Sequence, residues 1–150
     1  MIRLLTVMLG ASREGRRRYP WLWRLALAIC AVYWGALFIA THLPRFESLG
    51  KELGDKAIHF LAYFGLGILL TWTASLYRRL SPGVVLLVVI VILAYAAADE
   101  VLQTFIPGRF GHILDWLADL AGTVVGVGCY CLAHLCARWQ PAAAEGPTNN

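Results

Sequence analysis

Three groups of polar residues carry the chemistry of this chain, and each recurs at helical spacing. Asp55, His59 and Tyr63 stand at i, i+4 and i+8, with Lys56 beside the first. Tyr95, Asp99 and Gln103 repeat that spacing, and Glu100 lies three residues before Gln103. His112, Asp115, Asp119, Gly122 and Gly126 step by three and four. On a helix such steps put each set on one face. Carboxylates beside histidine and a fixed cation suit three kinds of work: binding a ligand through hydrogen bonds and charge, moving protons as acid and base, or tying helix ends together. Arg109 falls between the acids of the second and third groups. Its planar guanidinium matches a carboxylate or phosphate, which a lysine does not.

The chain has four apolar blocks, 25–40, 60–76, 84–98 and 113–136, and these groups border or enter the last three. Of the 150 residues, 59% are hydrophobic and 15% charged, whereas a soluble chain runs near half apolar and about a quarter charged. With its flanks each block reaches roughly 20 residues, enough to cross a hydrocarbon core of about 30 Å at about 1.5 Å per residue. A soluble chain of this length has no outer layer in which to bury four such helices, and disorder is excluded by the same composition. Ser81-Pro82-Gly83 opens the third span, where proline suits a first helical turn. The fold class expected is all-α, a four-helix transmembrane bundle. No repeat and no soluble second domain is visible.

Basic residues orient the bundle. Arg3, Arg13, Arg16, Arg17, Arg18, Arg24, Arg78, Arg79 and Arg138 fall on one side of the spans; Arg45, Lys51, Lys56 and Arg109 fall on the other. The richer side is cytoplasmic by the positive-inside rule, so both termini are expected inside. Acids show the opposite bias: Glu14 and Glu145 inside, Glu47, Glu52, Asp55, Asp99, Glu100, Asp115 and Asp119 outside. The net charge of +4 conceals this polarity. Nothing concentrates the basic residues as a nucleic-acid surface would, so no nucleic-acid partner is expected; anionic membrane lipid is. All three polar groups thereby come to the outer end.

The chain divides into a basic cytoplasmic segment (1–20), the four-helix membrane domain (21–139) and a disordered cytoplasmic tail (140–150). Residues 1–9 read as a short interfacial segment unless Met8 is the start. Arg16-Arg17-Arg18 hints at an export signal, but Tyr19-Pro20 follows and no A-x-A cleavage site ends the span, so the first helix is read as retained. None of Cys30, Cys129, Cys131 and Cys136 reaches the oxidising side, and no structural disulfide is expected. Cys129 and Cys131 with His134 read as packing residues rather than a metal site. The first span has no ionisable residue between Arg24 and His42 and reads as mainly scaffold or a lipid-facing partner.

The three polar groups carry a resemblance. Asp55-Lys56-x-x-His59-x-x-x-Tyr63, then Asp99-Glu100-x-x-Gln103-x-Phe105-x-Pro107-Gly108-Arg109, then Asp115-x-x-x-Asp119-x-x-Gly122-x-x-x-Gly126 resembles the VanZ-like family of bacterial membrane proteins over residues 37–135. Two positions depart from the family pattern: Asp119 stands where Asn is frequent, and His112 where a small or hydroxyl residue is. Both make this end more ionisable. The resemblance implies a four-helix protein of the bacterial cytoplasmic (inner) membrane and a link to low-level teicoplanin resistance; it implies no defined reaction.

Four functions compete for the polar end. The first is a structural network in which Asp55, Asp99, Glu100, Asp115 and Asp119 pair with Lys56, Arg109 and His59. A second is a binding site for an envelope ligand, a lipid-linked precursor or a glycopeptide, made of Asp55, Lys56, His59, Tyr63, Asp99, Glu100, Gln103, Arg109, His112, Asp115 and Asp119, with Trp34 and Trp116 placed to stack on sugar or lipid. A third is an intramembrane enzyme using Glu100 and Asp115 as acid and base and His59 as proton shuttle, or holding a metal with His59, His112 and the carboxylates. The fourth, a transporter, asks more of four short helices than they offer. Neither a G-x-S-x-G nucleophile nor an H-E-x-x-H metal spacing is present. The site is therefore assigned to binding, with no metal and no cofactor, and an enzymatic role is not favoured. Oligomeric state is not legible.

Overall fold

Apolar runs bounded by Pro20, Pro44 and Ser81-Pro82 leave the chain few ways to stop a helix inside a block. In the computed structural model, which describes residues 7–9, 19–42, 52–106 and 113–138, four long helices result: α1 Trp21–His42, α2 Glu52–Tyr77, α3 Pro82–Gln103 and α4 Ile113–Arg138. No strand occurs among the described residues. The all-α four-helix class is as the sequence implies. Each helix from α1 to α3 overshoots its apolar block at both ends. At 26 residues each, α2 and α4 are about 39 Å long, more than a core of about 30 Å requires. The surplus carries much of the polar end.

Ser81 caps α3. Its backbone is extended at φ −128° and ψ 162°, and its Oγ accepts the Val84 amide at 3.4 Å, with Pro82 at the first helical position. Pro82 has no amide hydrogen to leave unsatisfied there.

Glycine sets how closely α2 and α4 approach. A Cβ built on Gly122 would fall on the carbonyl of Phe60, and one on Gly126 on the carbonyl of Phe64. From the other side, a Cβ on Gly67 would meet the backbone of Thr123 and Val127. These helices touch backbone to backbone, as small residues permit in membranes. The matched positions rise together in number, so α2 and α4 run parallel and begin at the same end. α1 packs on α2 through Tyr33, whose hydroxyl donates to the Ala62 carbonyl at 2.8 Å beside Gly65. It is the peripheral helix: 17% of its span is buried, against 39% of that of α4.

The core and the surface are arranged for lipid rather than water. Leu25, Val32, Ile39, Leu61, Leu86, Val101 and Leu132 are exposed. Thr71, Ser75, Asp99, Asp119 and Thr123 are buried alongside Tyr63, Leu66, Ile92 and Ala96. A soluble domain inverts that pattern. All four helices are long and apolar enough to cross a membrane, and the chain is a multi-pass membrane protein.

At the end away from the polar groups, residues 7–9 dock on the bundle. Trp72 Nε1 donates to the Met8 carbonyl at 2.7 Å; Tyr130 Oη donates to that of Leu9 at 2.7 Å, and His134 Nδ1 lies 2.9 Å from the same oxygen. The expectation of an interfacial segment missed this attachment, because the anchoring side chains lie more than sixty residues away in α2 and α4. Residues 10–18 and the tail beyond 138 lie outside the described residues. The four cysteines are free thiols.

Candidate functional site

The polar end is assembled from the C-terminal turns of α1 and α3 and the N-terminal turns of α2 and α4. Two sets of contacts form there. On α4, Asp115 and Asp119 stand one turn apart and face α2. Lys56 Nζ lies 3.8 Å from Asp115 Oδ1, and His59 Nδ1 lies 2.9 Å from Asp119 Oδ1. His59, Asp115 and Asp119 are all buried, while Lys56 is only partly so. Ligand atoms of His59, Glu100 and Asp115, one residue from each of α2, α3 and α4, lie within 4.8 Å of one another.

The other set surrounds Asp99, which is 2% exposed. Gln103 Nε2 donates to its Oδ2 at 2.7 Å, and Tyr95 Oη approaches Oδ1 at 3.5 Å. This is the i, i+4, i+8 stripe read from the sequence, realised as a hydrogen-bonded row. A further donor was not foreseen: Thr41 Oγ1, on α1, donates to Asp99 Oδ1 at 3.0 Å. His42 Nδ1 stands 3.6 Å from the same oxygen and 2.9 Å from the Phe38 carbonyl. Thr41 Oγ1 also lies 3.0 Å from the Phe38 carbonyl, so its single hydroxyl proton is shared between that oxygen and Asp99.

Most of α1 faces outward, as read from the sequence, but its C-terminal end is more than scaffold. Its last turn supplies Thr41 and His42 to a buried carboxylate. The signal was available, since α1 ends at the same depth as Gln103, but a search for charged stripes passes over a threonine. Asp99 and Glu100 also part company. Adjacent helical residues point about 100° apart at about 3.6 residues per turn, so Asp99 turns to α1 while Glu100 turns to α2 and α4.

Tyr63 lies one turn along from His59, 1% exposed, in the electrostatic field of Asp119, Asp99 and Glu100. Its ring stands 6.3 Å from that of Tyr95, bridging the two sets. Its hydroxyl and Asp115 Oδ1 are buried with no hydrogen-bond partner among the described residues. Trp34 packs edge-on against Tyr95 at 5.1 Å, so its ring is committed to the bundle rather than free to stack on a ligand. Trp116 is half-buried against the same core, its Nε1 without a hydrogen-bond partner among the described residues. Arg109 and His112 lie outside the described residues, as does the side chain of Asp55. Cys129 is exposed and Cys131 half-buried, while His134 is engaged by Leu9.

The VanZ/LLP1 family model matches residues 5–134. That match begins well before the 37–135 stretch on which the resemblance was read, and so takes in the docked residues 7–9. No curated protein and no solved structure matches the chain significantly. Four apolar helices closed by glycine contacts, with histidine and carboxylates gathered at one end, are thus the form taken here by a chain that belongs to the VanZ/LLP1 family.

Proposed function

We propose that the polar end is a binding site for an amphipathic cell-envelope ligand, a lipid-linked precursor or a glycopeptide, and that it faces outward from the bacterial inner membrane. Lys56, His59, Tyr63, Asp99, Glu100, Gln103, Asp115 and Asp119 are its described residues, with Asp55, Arg109 and His112 assigned to it by sequence. One observation carries the reading: a deeply buried tyrosine hydroxyl and a buried carboxylate oxygen lack hydrogen-bond partners among the described residues, in a place where every unsatisfied polar group is costly. A network evolved only to fasten helices closes on itself, and among the described residues this one does not. The outward direction rests on the split of basic residues, and the tie to teicoplanin tolerance rests on the family.

Lipid reaches such a site laterally, and headgroup amines, sugars or phosphates reach it from the aqueous side. Carboxylates accept from amine and hydroxyl donors, while Lys56 and Arg109 supply positive charge for an anionic group. The test uses Glu100→Gln and Asp115→Asn, which keep shape and remove charge. Each variant is scored for membrane accumulation and for teicoplanin susceptibility of cells that depend on the protein. Normal accumulation with lost tolerance is expected. Normal accumulation with unchanged tolerance would remove the polar end from the function.

A further inference from the structure

We propose that His59, Glu100 and Asp115 bind a divalent cation of the zinc, cobalt or manganese class. This deepens the binding-site reading and rests on it. One nitrogen and two carboxylate oxygens from three different helices lie within 4.8 Å of one another. Three donors on a common tetrahedral ion at about 2.0–2.2 Å sit about 3.3–3.6 Å apart, so coordination asks the donors to close by up to about 1.5 Å, within reach of side-chain rotation. Mixed imidazole and carboxylate donors favour borderline transition ions over magnesium or calcium, which prefer all-oxygen shells.

A second feature is independent of that spacing. Asp119 Oδ1 holds His59 Nδ1 at 2.9 Å. A metal-binding histidine characteristically gives its other ring N–H to a carboxylate, which fixes the tautomer and turns the free nitrogen to the ion. Here Asp119 holds Nδ1, and Nε2 is the nitrogen assigned to the ion. The sequence reading noted that Asp119 replaces a frequent Asn; as a carboxylate it is the stronger partner for that N–H.

A third feature points to a ligand directly. Asp115 is 8% exposed and Tyr63 1% exposed, and Asp115 Oδ1 and the Tyr63 hydroxyl have no hydrogen-bond partner among the described residues. The closest described cation to Asp115 is Lys56 Nζ, at 3.8 Å, beyond hydrogen-bond reach. A bound divalent cation would engage Asp115 together with Glu100 and offset the cost of burying the Asp115 charge. Three protein donors leave coordination positions for water or for a phosphate or carboxylate oxygen of the envelope ligand. Tyr63, one turn along from His59, would hydrogen-bond such an oxygen.

The experiment uses the full chain in detergent, with Cys129, Cys131 and Cys136 replaced by serine so that thiols do not compete. Protein stripped with chelator and dialysed is titrated with Co²⁺ and read by visible absorption and thermal unfolding. One saturable ion per chain is expected, with a raised Tm and a nitrogen/oxygen spectrum lacking thiolate charge-transfer bands. Glu100→Gln should abolish saturable binding, and Asp119→Asn should weaken it about 10- to 100-fold. Absence of saturable binding to the parent protein overturns the proposal without reliance on any variant. Equal affinity in Glu100→Gln overturns it as well, since the ion then sits elsewhere.

The two readings fail separately. If the parent chain takes up no ion yet Glu100→Gln accumulates normally and loses teicoplanin tolerance, the cation assignment falls and the ligand site stands. If the ion binds as described but tolerance survives its loss, the cation site stands and the envelope-ligand reading falls.

Discussion

Thr41 and Asp99 show what a single hydroxyl does in this setting. Asp99 is 2% exposed and takes its donors from Thr41, Gln103 and Tyr95. Removing a donor from a buried charged acceptor costs about 1–3 kcal/mol. Thr41→Val, which preserves shape, should therefore lower stability by about that much, whereas Thr41→Ser should stay near the parent. Reversible unfolding in mixed micelles measures both; a neutral Thr41→Val would mean that Gln103 and Tyr95 satisfy Asp99 alone. A double-mutant cycle of Thr41→Val with Asp99→Asn should show a coupling of about 0.5–3 kcal/mol, as for directly contacting residues. At this scale the sequence was legible wherever partners share a helix. Tyr95, Asp99 and Gln103 were placed correctly because i, i+4 spacing is a local property. Thr41 was not, because its partner is fifty-eight residues away and a single hydroxyl forms no stripe.

Between helices, glycine decides the geometry. Gly122 and Gly126 leave no space for a Cβ against the α2 backbone, and backbone cannot yield as a flexible side chain can. Gly126→Ala should destabilise by about 1–3 kcal/mol, the usual cost of overpacking, and Gly122→Leu should prevent accumulation. Gly128 and Gly83 meet nothing within 4 Å, and Gly128→Ala should stabilise by up to about 1 kcal/mol through helix propensity alone. Thermal unfolding of the purified variants checks the contrast; equal losses at Gly126 and Gly128 would contradict a backbone contact between α2 and α4. Gly122-x-x-x-Gly126 is a small-residue spacing that permits close helix approach in membranes, and Gly67 is engaged from the facing helix. Polar flanks, by contrast, hid the true lengths of the helices: apolar blocks mark the hydrocarbon core, while the helix continues for as long as its backbone hydrogen bonds do.

For the whole molecule, an apolar exterior around a polar-spotted interior identifies the solvent as lipid. Composition alone indicated as much, and α1 to α4 agree with it. Direction across the membrane comes only from nine basic residues on one side against four on the other. In a background lacking the native cysteines, Ser48→Cys should react with an impermeant maleimide on intact cells and Ser81→Cys should not. The reverse labelling would invert the bundle and place the polar end inside. Docking of residues 7–9 was illegible because carbonyl acceptors leave no trace in residue type. Convergence of His59, Glu100 and Asp115 was legible only as three separate stripes at one depth; which members of each stripe meet depends on helix rotation, which charge counting does not supply.

The central claim is that Glu100 and Asp115 at the polar end are held for a ligand and not for the fold. Thermal stability of Glu100→Gln in detergent with excess chelator tests it most directly, because neither envelope ligand nor metal then contributes. Removing a half-buried charge that serves binding should leave the Tm unchanged or raised, since the desolvation cost of that charge disappears with it. A Tm lowered by an amount equivalent to about 3 kcal/mol or more, the signature of breaking a buried structural pair, would show instead that the cluster fastens the helices and that its role is structural.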